Sequence, residues 1–351
     1  MGNKIELGSE FNLSLNSLCK IENNLIKYLE KYNVNWYEYG RTAIRQIHVD
    51  DEKIVLLPEF ICESVTNCFK QDMVRFYKIR DNFDIDFDSL CENLDNVGTI
   101  FICHYFGYLQ SEDIVKKIRK LADDRGIVLV EDFTQSLFSF ETLIGDYGIA
   151  SIRKWMKVSQ GGILFSNREL PDVTSLEKST DNSRAYGMIL KDMFLKDELD
   201  ANEKYRQIFT ECENRVDTLS DVKRISDFAF FAMQCVDIGE LVNKRKENGQ
   251  YLLKQLAQIG LKPVKEYIEE ECPLAIPLRV KNRDAFRTYM IENRVYCAVH
   301  WPFDGIRACE RPGAKYNADT LISLPIDQRY GKTEIDYMIE VIKNYGGELL
   351  F

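Results

Sequence analysis

Short apolar runs that alternate with amphipathic stretches are the feature that most restricts how this 351-residue chain can fold. Segments rich in Val, Ile and Phe recur at 54–58, 73–79, 99–107, 127–132, 149–152 and 162–167. Between two of them, residues 111–126 place Ile114, Val115, Ile118 and Leu121 on one face and end at Gly126. Because parallel strands need crossover connections, this alternation predicts an α/β fold with a mostly parallel sheet flanked by helices.

The pattern changes after residue 167. A polar helical stretch extends to about residue 220, and a more apolar helix is predicted over about 226–256. The elements then become shorter, with apolar segments at 273–280, 295–302 and 323–326 and helical patterns at 283–294 and from about 333. We therefore predict a large α/β domain over 1–240, with an N-terminal helical segment, and a smaller C-terminal α+β domain over 241–351.

Composition excludes some classes of partner. Forty-six basic and 56 acidic residues give a net charge of −10, which repels the phosphate backbone of nucleic acids. No apolar run approaches the roughly 20 residues of a membrane span, and the first residues, MGNKIELGSEF, lack the order of a signal peptide. We expect a cytoplasmic protein that binds neither nucleic acid nor membranes.

The usual metal and nucleotide motifs are absent from the sequence. The ten cysteines include no C-x-x-C pair, and His48, His104 and His300 are too widely spaced for an H-E-x-x-H helix. There is also no G-x-x-x-x-G-K-[ST] motif and no G-x-G-x-x-G after a strand. We expect no protein-built metal site, so an enzyme with this sequence would need another source of chemistry.

The most informative stretch is VLVEDFTQSLF, followed by GDYGIASIRKWMKVSQGG. Asp132 closes an apolar strand, where a buried carboxylate is unfavourable unless a positive or proton-bearing group meets it. Gln135 follows three residues later, and Lys154 comes 22 residues after Asp132. Ser151 precedes this lysine in Ser-x-x-Lys spacing, and the pair Gly161–Gly162 follows it. A lysine beside a strand end can become a nucleophile.

Plainer interpretations of these residues stay open. Lys154 could be a solvated surface charge, Asp132 the N-cap of a helix, and Ser151 a small residue in a packed turn. Lys157 is a rival for the nucleophile, although it lacks the Ser-x-x-Lys spacing and lies closer to the glycine pair.

This stretch resembles the fold type I enzymes that use pyridoxal 5′-phosphate (PLP), and more narrowly the DegT/StrS-type sugar aminotransferases. Their order of Glu-Asp-x-x-Gln, Gly-Asp, Ser before a lysine, and a later Gly-Gly is matched here. The resemblance implies the fold type I architecture. It also implies that Lys154 holds the cofactor covalently, that Asp132 pairs with the pyridine nitrogen, and that Gln135 lies against the ring hydroxyl.

The segment YGRTAIRQ at 39–46 is similar to the family's phosphate-binding element. By this resemblance Gly40, Arg41 and Thr42 would contact the cofactor phosphate, and Ser151 would reach the same group. Taken alone, a Gly-Arg-Thr turn more often only caps a helix.

Two further residues would lie near the cofactor ring by resemblance. Cys62 stands where many relatives place an aromatic side chain over the pyridine ring, so stacking on the ring would fall to Phe60 or His104 instead. His104, in a segment similar to the family's His-x-x-Gly strand end, could lie near the cofactor face, or it could be a hydrogen-bonded core histidine.

Substrate contacts are expected from two later segments. Arg184, Tyr186 and Lys191 could bind substrate, although a solvated helical face would explain them as well. His300 and Trp301 could line the substrate entrance, or they could be a pair that packs between the domains. The family's Asn-x-Arg-Met element is not preserved before Ser226, so substrate specificity cannot be carried over.

The resemblance implies an aminotransferase that moves an amino group from an amino acid, with glutamate as a reasonable donor, to a keto sugar carried on a nucleotide. It further implies a homodimer and a role in glycan or surface-polysaccharide synthesis. Two alternatives remain: a PLP enzyme that acts on another small amino or keto substrate, and a degenerate member that binds a ligand or partner without turnover.

Overall fold

A seven-stranded sheet dominates the computed structural model, which describes residues 6–218, 221–302 and 311–349. Its strands are β1 (Asn33–Tyr37), β2 (Ile54–Pro58), β3 (Val74–Tyr77), β4 (Val97–Cys103), β5 (Val128–Asp132), β6 (Tyr147–Ser151) and β7 (Gly162–Ser166). They are ordered β1-β7-β6-β5-β4-β2-β3. The pairs β2–β3, β2–β4 and β4–β5 are parallel, whereas β1 is antiparallel to β7. The mostly parallel sheet predicted from the sequence is confirmed.

Helices connect and follow these strands. They are α1 (Leu25–Tyr28), α2 (Gly40–Ile44), α3 (Glu63–Thr66), α4 (Phe87–Glu92), α5 (Glu112–Arg125), α6 (Ser183–Leu195), α7 (Asn202–Thr218), α8 (Asp227–Met233), α9 (Ile238–Gln258), α10 (Arg283–Glu292), α11 (Pro312–Thr320) and α12 (Lys332–Lys343). The predicted crossover helix corresponds to α5, and Gly126 ends it in the left-handed conformation with φ 66°. No helix in the described part of the chain is both long and apolar enough to cross a membrane.

The chain forms two compact units. Among the described residues, the first unit contains Glu6, Glu10–Ile47 and Ile149–Leu241. The second contains Leu7–Ser9, His48–Gly148 and the chain from Val242 onward. Both units combine separate stretches of the chain. The division into a large domain over 1–240 and a smaller domain over 241–351 stays a prediction.

The second unit contains a small antiparallel sheet of β8 (Ala275–Arg279) and β9 (Leu321–Pro325), in register from Ala275 opposite Pro325 to Arg279 opposite Leu321. Phe286 and Met290 of α10 and Ile335 and Met338 of α12 share its buried core. This arrangement has the α+β character that the sequence predicts for the C-terminal region.

The helix predicted over about 226–256 is two helices. Ser226 Oγ accepts a hydrogen bond from Ala229 N at 3.2 Å and caps α8. Asp237 Oδ1 accepts one from Glu240 N at 3.0 Å at the start of α9. The second helix start, at Asp237, divides the apolar stretch, so the prediction of a single long helix was wrong.

Candidate active site

Asp132 is a buried carboxylate at the end of β5, with 5% of the residue exposed. Its Oδ1 accepts a hydrogen bond from Thr134 N at 2.8 Å. Within the described residues, no lysine or arginine lies at ion-pairing distance from it. Burial raises the pKa of Asp132. Hydrogen bonds from Thr134 and the electrostatic interaction with nearby His104 oppose this rise only in part. The carboxylate therefore favours a proton-bearing partner.

The preceding residue, Glu131, organises the turn that carries the Gly-Asp motif. Its carboxylate accepts hydrogen bonds from Ile144 N at 2.8 Å and Gly145 N at 2.6 Å. A Cβ on Gly145 would lie 2.8 Å from Leu129 O, which explains the glycine. Asp146 Oδ2 accepts from Leu129 N at 2.9 Å. Sequence reasoning missed this role of Glu131, for which the only signal was a second acid at the end of an apolar strand.

Both ring nitrogens of His104 have partners in the second unit. Nδ1 accepts a hydrogen bond from Gln110 N at 3.0 Å, so the Nε2 proton is directed to Glu131 Oε2 at 3.2 Å. The ring stacks on Phe133 with centroids 4.6 Å apart. These contacts favour the interpretation of His104 as a core histidine.

Gln135 and Cys62 also have local partners in this unit. Gln135 Oε1 accepts a hydrogen bond from Phe106 N at 2.9 Å and so holds a turn in which Phe106 has φ 56°. Cys62 is half-buried and precedes α3, and its Sγ accepts a hydrogen bond from Ser64 Oγ at 3.1 Å. Sequence reasoning foresaw neither contact.

The two candidate lysines lie in the first unit and differ in environment. Lys154 ends the short 3₁₀ helix Ile152–Lys154 after β6, and its side chain is exposed. Lys157 is half-buried, and its Nζ donates a hydrogen bond to Ser17 Oγ at 2.7 Å. Burial lowers the pKa of Lys157, which favours its neutral form. The motif spacing thus favours Lys154 as the covalent lysine, while the lowered pKa of Lys157 keeps that residue as an alternative.

The glycine pair after these lysines permits a close approach of three segments. Gly161 has φ 139°, and a Cβ there would lie 2.2 Å from Ile152 Cγ1. A Cβ on Gly162 would lie 2.0 Å from Tyr39 O. A Cβ on Gly40 would lie 3.3 Å from Ser151 Cβ, so Gly40 packs directly against Ser151. The structure therefore brings together two predicted phosphate contacts.

The other two residues of the predicted phosphate element have different surroundings. Thr42 is buried in α2. Arg41 Nη1 donates a hydrogen bond to Val216 O at 2.7 Å, so this guanidinium contacts the last part of α7.

Replacing Gly162 with alanine is expected to destabilise the protein by at least about 2 kcal/mol, because the clash is with backbone that cannot move freely. Gly346→Ala is the control, since a Cβ there meets nothing within 4 Å. Urea unfolding measures both. Equal stability of the two variants would contradict the close packing of Gly162 against Tyr39.

The predicted substrate contacts on α6 divide into buried and exposed residues. Arg184 is 4% exposed and its Nη1 pairs with Glu10 Oε2 at 2.9 Å. Lys191 Nζ, 1% exposed, pairs with Glu6 Oε2 at 3.3 Å. A solvated helical face therefore does not explain these two residues. Tyr186 is exposed, with Lys204 Nζ 5.6 Å from its ring centroid.

His300 and Trp301 take part in packing within the second unit. His300 Nδ1 lies 2.9 Å from Ser323 Oγ, and its ring meets Phe106 edge-on at 5.3 Å. The Trp301 ring packs on Phe60 at a centroid distance of 5.1 Å. These contacts favour the packing interpretation over a substrate entrance.

Comparisons with known proteins identify the fold. No family model and no curated protein matches the chain. Among solved structures, apo Spr1654 from Streptococcus pneumoniae has a TM-score of 0.68 at 14% identity and covers 97% of both chains. Spr1654 has also been solved in PLP and PMP forms.

Two further structures give the same result. The sugar aminotransferase CalS13 from Micromonospora echinospora has a TM-score of 0.62 at 16% identity, covering 91% of this chain and 89% of its own. A DegT DnrJ EryC1 StrS aminotransferase from Brucella abortus has a TM-score of 0.62 at 14% identity, covering 92% and 88%. The chain therefore has the fold of the DegT/StrS-type sugar aminotransferases, as its resemblance in sequence implies.

Proposed function

We propose that this protein is a PLP-dependent aminotransferase that transfers an amino group from an amino acid to a keto sugar. The observation that carries the proposal is Asp132, a buried carboxylate without a cationic partner among the described residues, in motif order with Gln135 and Lys154. The fold shared with sugar aminotransferases supports it.

The residues present fit this cofactor. A buried carboxylate that favours a proton-bearing partner suits a protonated pyridine nitrogen. Gly40, the first residue of α2, has no side chain and packs closely against Ser151. A phosphate could therefore approach the backbone N–H groups of α2 and the Ser151 hydroxyl together. The exposed amine of Lys154 is available for a covalent bond.

Bound pyridoxal phosphate supplies an electron sink that stabilises negative charge at the carbon that exchanges its amino group. Asp132 would hold the proton on the pyridine nitrogen. Lys154 would hold the cofactor covalently through Nζ, and its amine, when free, would act as the base that moves a proton at the reacting carbon. Gln135 would orient the ring through its hydroxyl.

The remaining predicted contacts have supporting roles. Gly40, Arg41, Thr42 and Ser151 would bind the phosphate. Cys62 and His104 would border the ring, His104 through its fixed position beside Glu131 rather than through a free nitrogen.

The finer parts of the proposal come from the resemblance. They are a nucleotide-linked sugar acceptor, glutamate as donor, a homodimer, a cytoplasmic location, and a role in glycan or surface-polysaccharide synthesis. Among the predicted substrate contacts Arg184, Tyr186, His300 and Trp301, we favour Tyr186 because its side chain is exposed. The packing contacts of His300 and Trp301 argue against a role for these two residues at the substrate entrance.

The half-reaction with an amino donor tests the proposal. Protein loaded with PLP is mixed with L-glutamate, and the released cofactor is separated by chromatography. We expect conversion to pyridoxamine phosphate and reversal by a nucleotide-linked keto sugar. Reversal by small keto acids alone would identify a different acceptor class. Bound PLP that no amino acid converts would contradict transamination and favour a degenerate binding protein.

A further inference from the structure

Two arginines near Lys154, Arg184 buried and Arg153 mostly buried, share one half-exposed carboxylate. Arg153 Nη1 lies 2.9 Å from Glu213 Oε1, and Arg184 Nη2 contacts the same oxygen. The Arg184 side chain is 4% exposed and that of Arg153 is 15% exposed, whereas that of Glu213 is 48% exposed. The guanidiniums thus lie beneath a carboxylate that faces solvent.

Neither guanidinium uses all its donors. The Nε atoms of Arg153 and Arg184 are buried and have no hydrogen-bond partner among the described residues. Glu213 therefore engages each arginine through a terminal nitrogen and leaves both Nε atoms unmatched. Guanidiniums bind carboxylate and phosphate most strongly through two parallel hydrogen bonds, so the pair can accept a better-matched oxyanion.

Glu213 supplies the negative charge that the two arginines bind. Burial alone would raise its pKa, but the charges of Arg153 and Arg184 lower the pKa of Glu213 to about 2, so it is ionised at neutral pH. Lys154 contributes to the same lowering, which places its amine within electrostatic range of Glu213. Arg184 also pairs with Glu10, whose side chain is likewise 48% exposed.

Each of the two guanidiniums also lies against an aromatic ring. The Arg153 guanidinium carbon lies 5.6 Å from the centroid of Tyr39, the residue before α2. The Arg184 guanidinium carbon lies 5.6 Å from the centroid of Phe209 on α7. Such cation–π contacts help to hold both groups in place without consuming their N–H donors.

We propose that Arg153 and Arg184 form an oxyanion-binding subsite in which the Glu213 carboxylate stands in for a carboxylate or phosphate of a ligand. Two ligands of the proposed reaction carry such groups: the amino donor has a carboxylate, and a nucleotide-linked acceptor has a diphosphate. The inference concerns binding by the first unit and does not require a bound cofactor, so it can hold even if the proposed transamination fails.

Isothermal titration calorimetry on the full chain tests the subsite with two probes, glutarate and uridine diphosphate. The protein is incubated with excess PLP and desalted beforehand, so that a cofactor phosphate cannot account for the binding. Because Glu213→Gln removes the competing charge but keeps hydrogen-bonding atoms, we expect at least one probe to bind about three- to tenfold more tightly. Glu211→Gln, an equal charge change on the same helix, should leave the affinity for that probe unchanged.

Arg184→Met should weaken binding of the same probe at least about tenfold. Arg184→Lys should weaken it less, because lysine keeps the charge but cannot form the two parallel hydrogen bonds of a guanidinium. A response to glutarate alone assigns the subsite to the donor carboxylate, and a response to uridine diphosphate alone assigns it to the acceptor phosphate. No binding of either probe, or equal affinities in wild type, Glu213→Gln and Glu211→Gln, would overturn the inference. The comparison of Glu213→Gln with Glu211→Gln tests the subsite even if Arg184→Met fails to fold.

Discussion

Lys154→Ala is expected to lower turnover at least about a thousandfold, because it removes the amine that would hold the cofactor and move the proton. The side chain is exposed, so its removal leaves no cavity, and the free energy of unfolding should change by less than about 0.5 kcal/mol. Steady-state rates and urea unfolding of the same preparation measure both effects.

Lys157→Ala is the matched control on the same loop. It removes the hydrogen bond from Lys157 Nζ to Ser17 Oγ, and we expect only a modest fall in stability with turnover retained. If Lys157→Ala abolishes turnover while Lys154→Ala does not, the half-buried lysine is the covalent one and the motif alignment of this loop is wrong.

Asp132→Asn is expected to have opposite effects on activity and on stability. An amide cannot keep a proton on the pyridine nitrogen, so turnover should fall about a hundred- to ten-thousandfold. The cofactor-free protein should become more stable at neutral pH, by about 1 to 3 °C in Tm, because a buried carboxylate with no cationic partner among the described residues is removed.

The stability gain should depend on pH in a defined direction. Burial raises the folded-state pKa of Asp132 above its unfolded value, so the ionised carboxyl weakens folding. The advantage of the Asn variant should be absent below the unfolded-state pKa, grow as pH rises through the folded-state pKa, and be full above it. Thermal unfolding of cofactor-free protein across this range measures it.

Asp327→Asn is the control of opposite sign. Asp327 is also buried, and burial alone would raise its pKa, but Arg329, with Nε 2.8 Å from Oδ1, holds it below its usual value. Its ionised form therefore stabilises the fold above the unfolded-state pKa, and this stabilisation is lost as pH falls through the folded-state pKa. The Asn variant should be less stable at neutral pH. Destabilisation of equal size by both substitutions would contradict the absence of a cationic partner for Asp132 among the described residues.

Elements with strong apolar patterns were predictable from the sequence. Strands β2, β5 and β7 and helix α5 follow the predicted segments closely because each buries a continuous apolar run or face. Strand β1, Asn33–Tyr37, was not predicted, since its residues are mixed and partly exposed and its antiparallel pairing with β7 comes from tertiary contact.

Motif order proposes Asp132 and Lys154 as site residues because the motif members are close in sequence, and these two assignments stay predictions. The structure explains the glycine pair through close backbone approach. The bond between Arg153 and Glu213 joins residues 60 positions apart, which no local pattern can reveal. The same holds for Arg184 and Glu10, 174 positions apart.

Borohydride reduction of the PLP-loaded protein, followed by digestion and mass spectrometry, identifies the lysine that carries the cofactor. Reduction fixes the cofactor on that amine. We expect a single pyridoxyl label, on Lys154. A label on Lys157 or on any other lysine, or no label on protein that has been saturated with PLP, would contradict it.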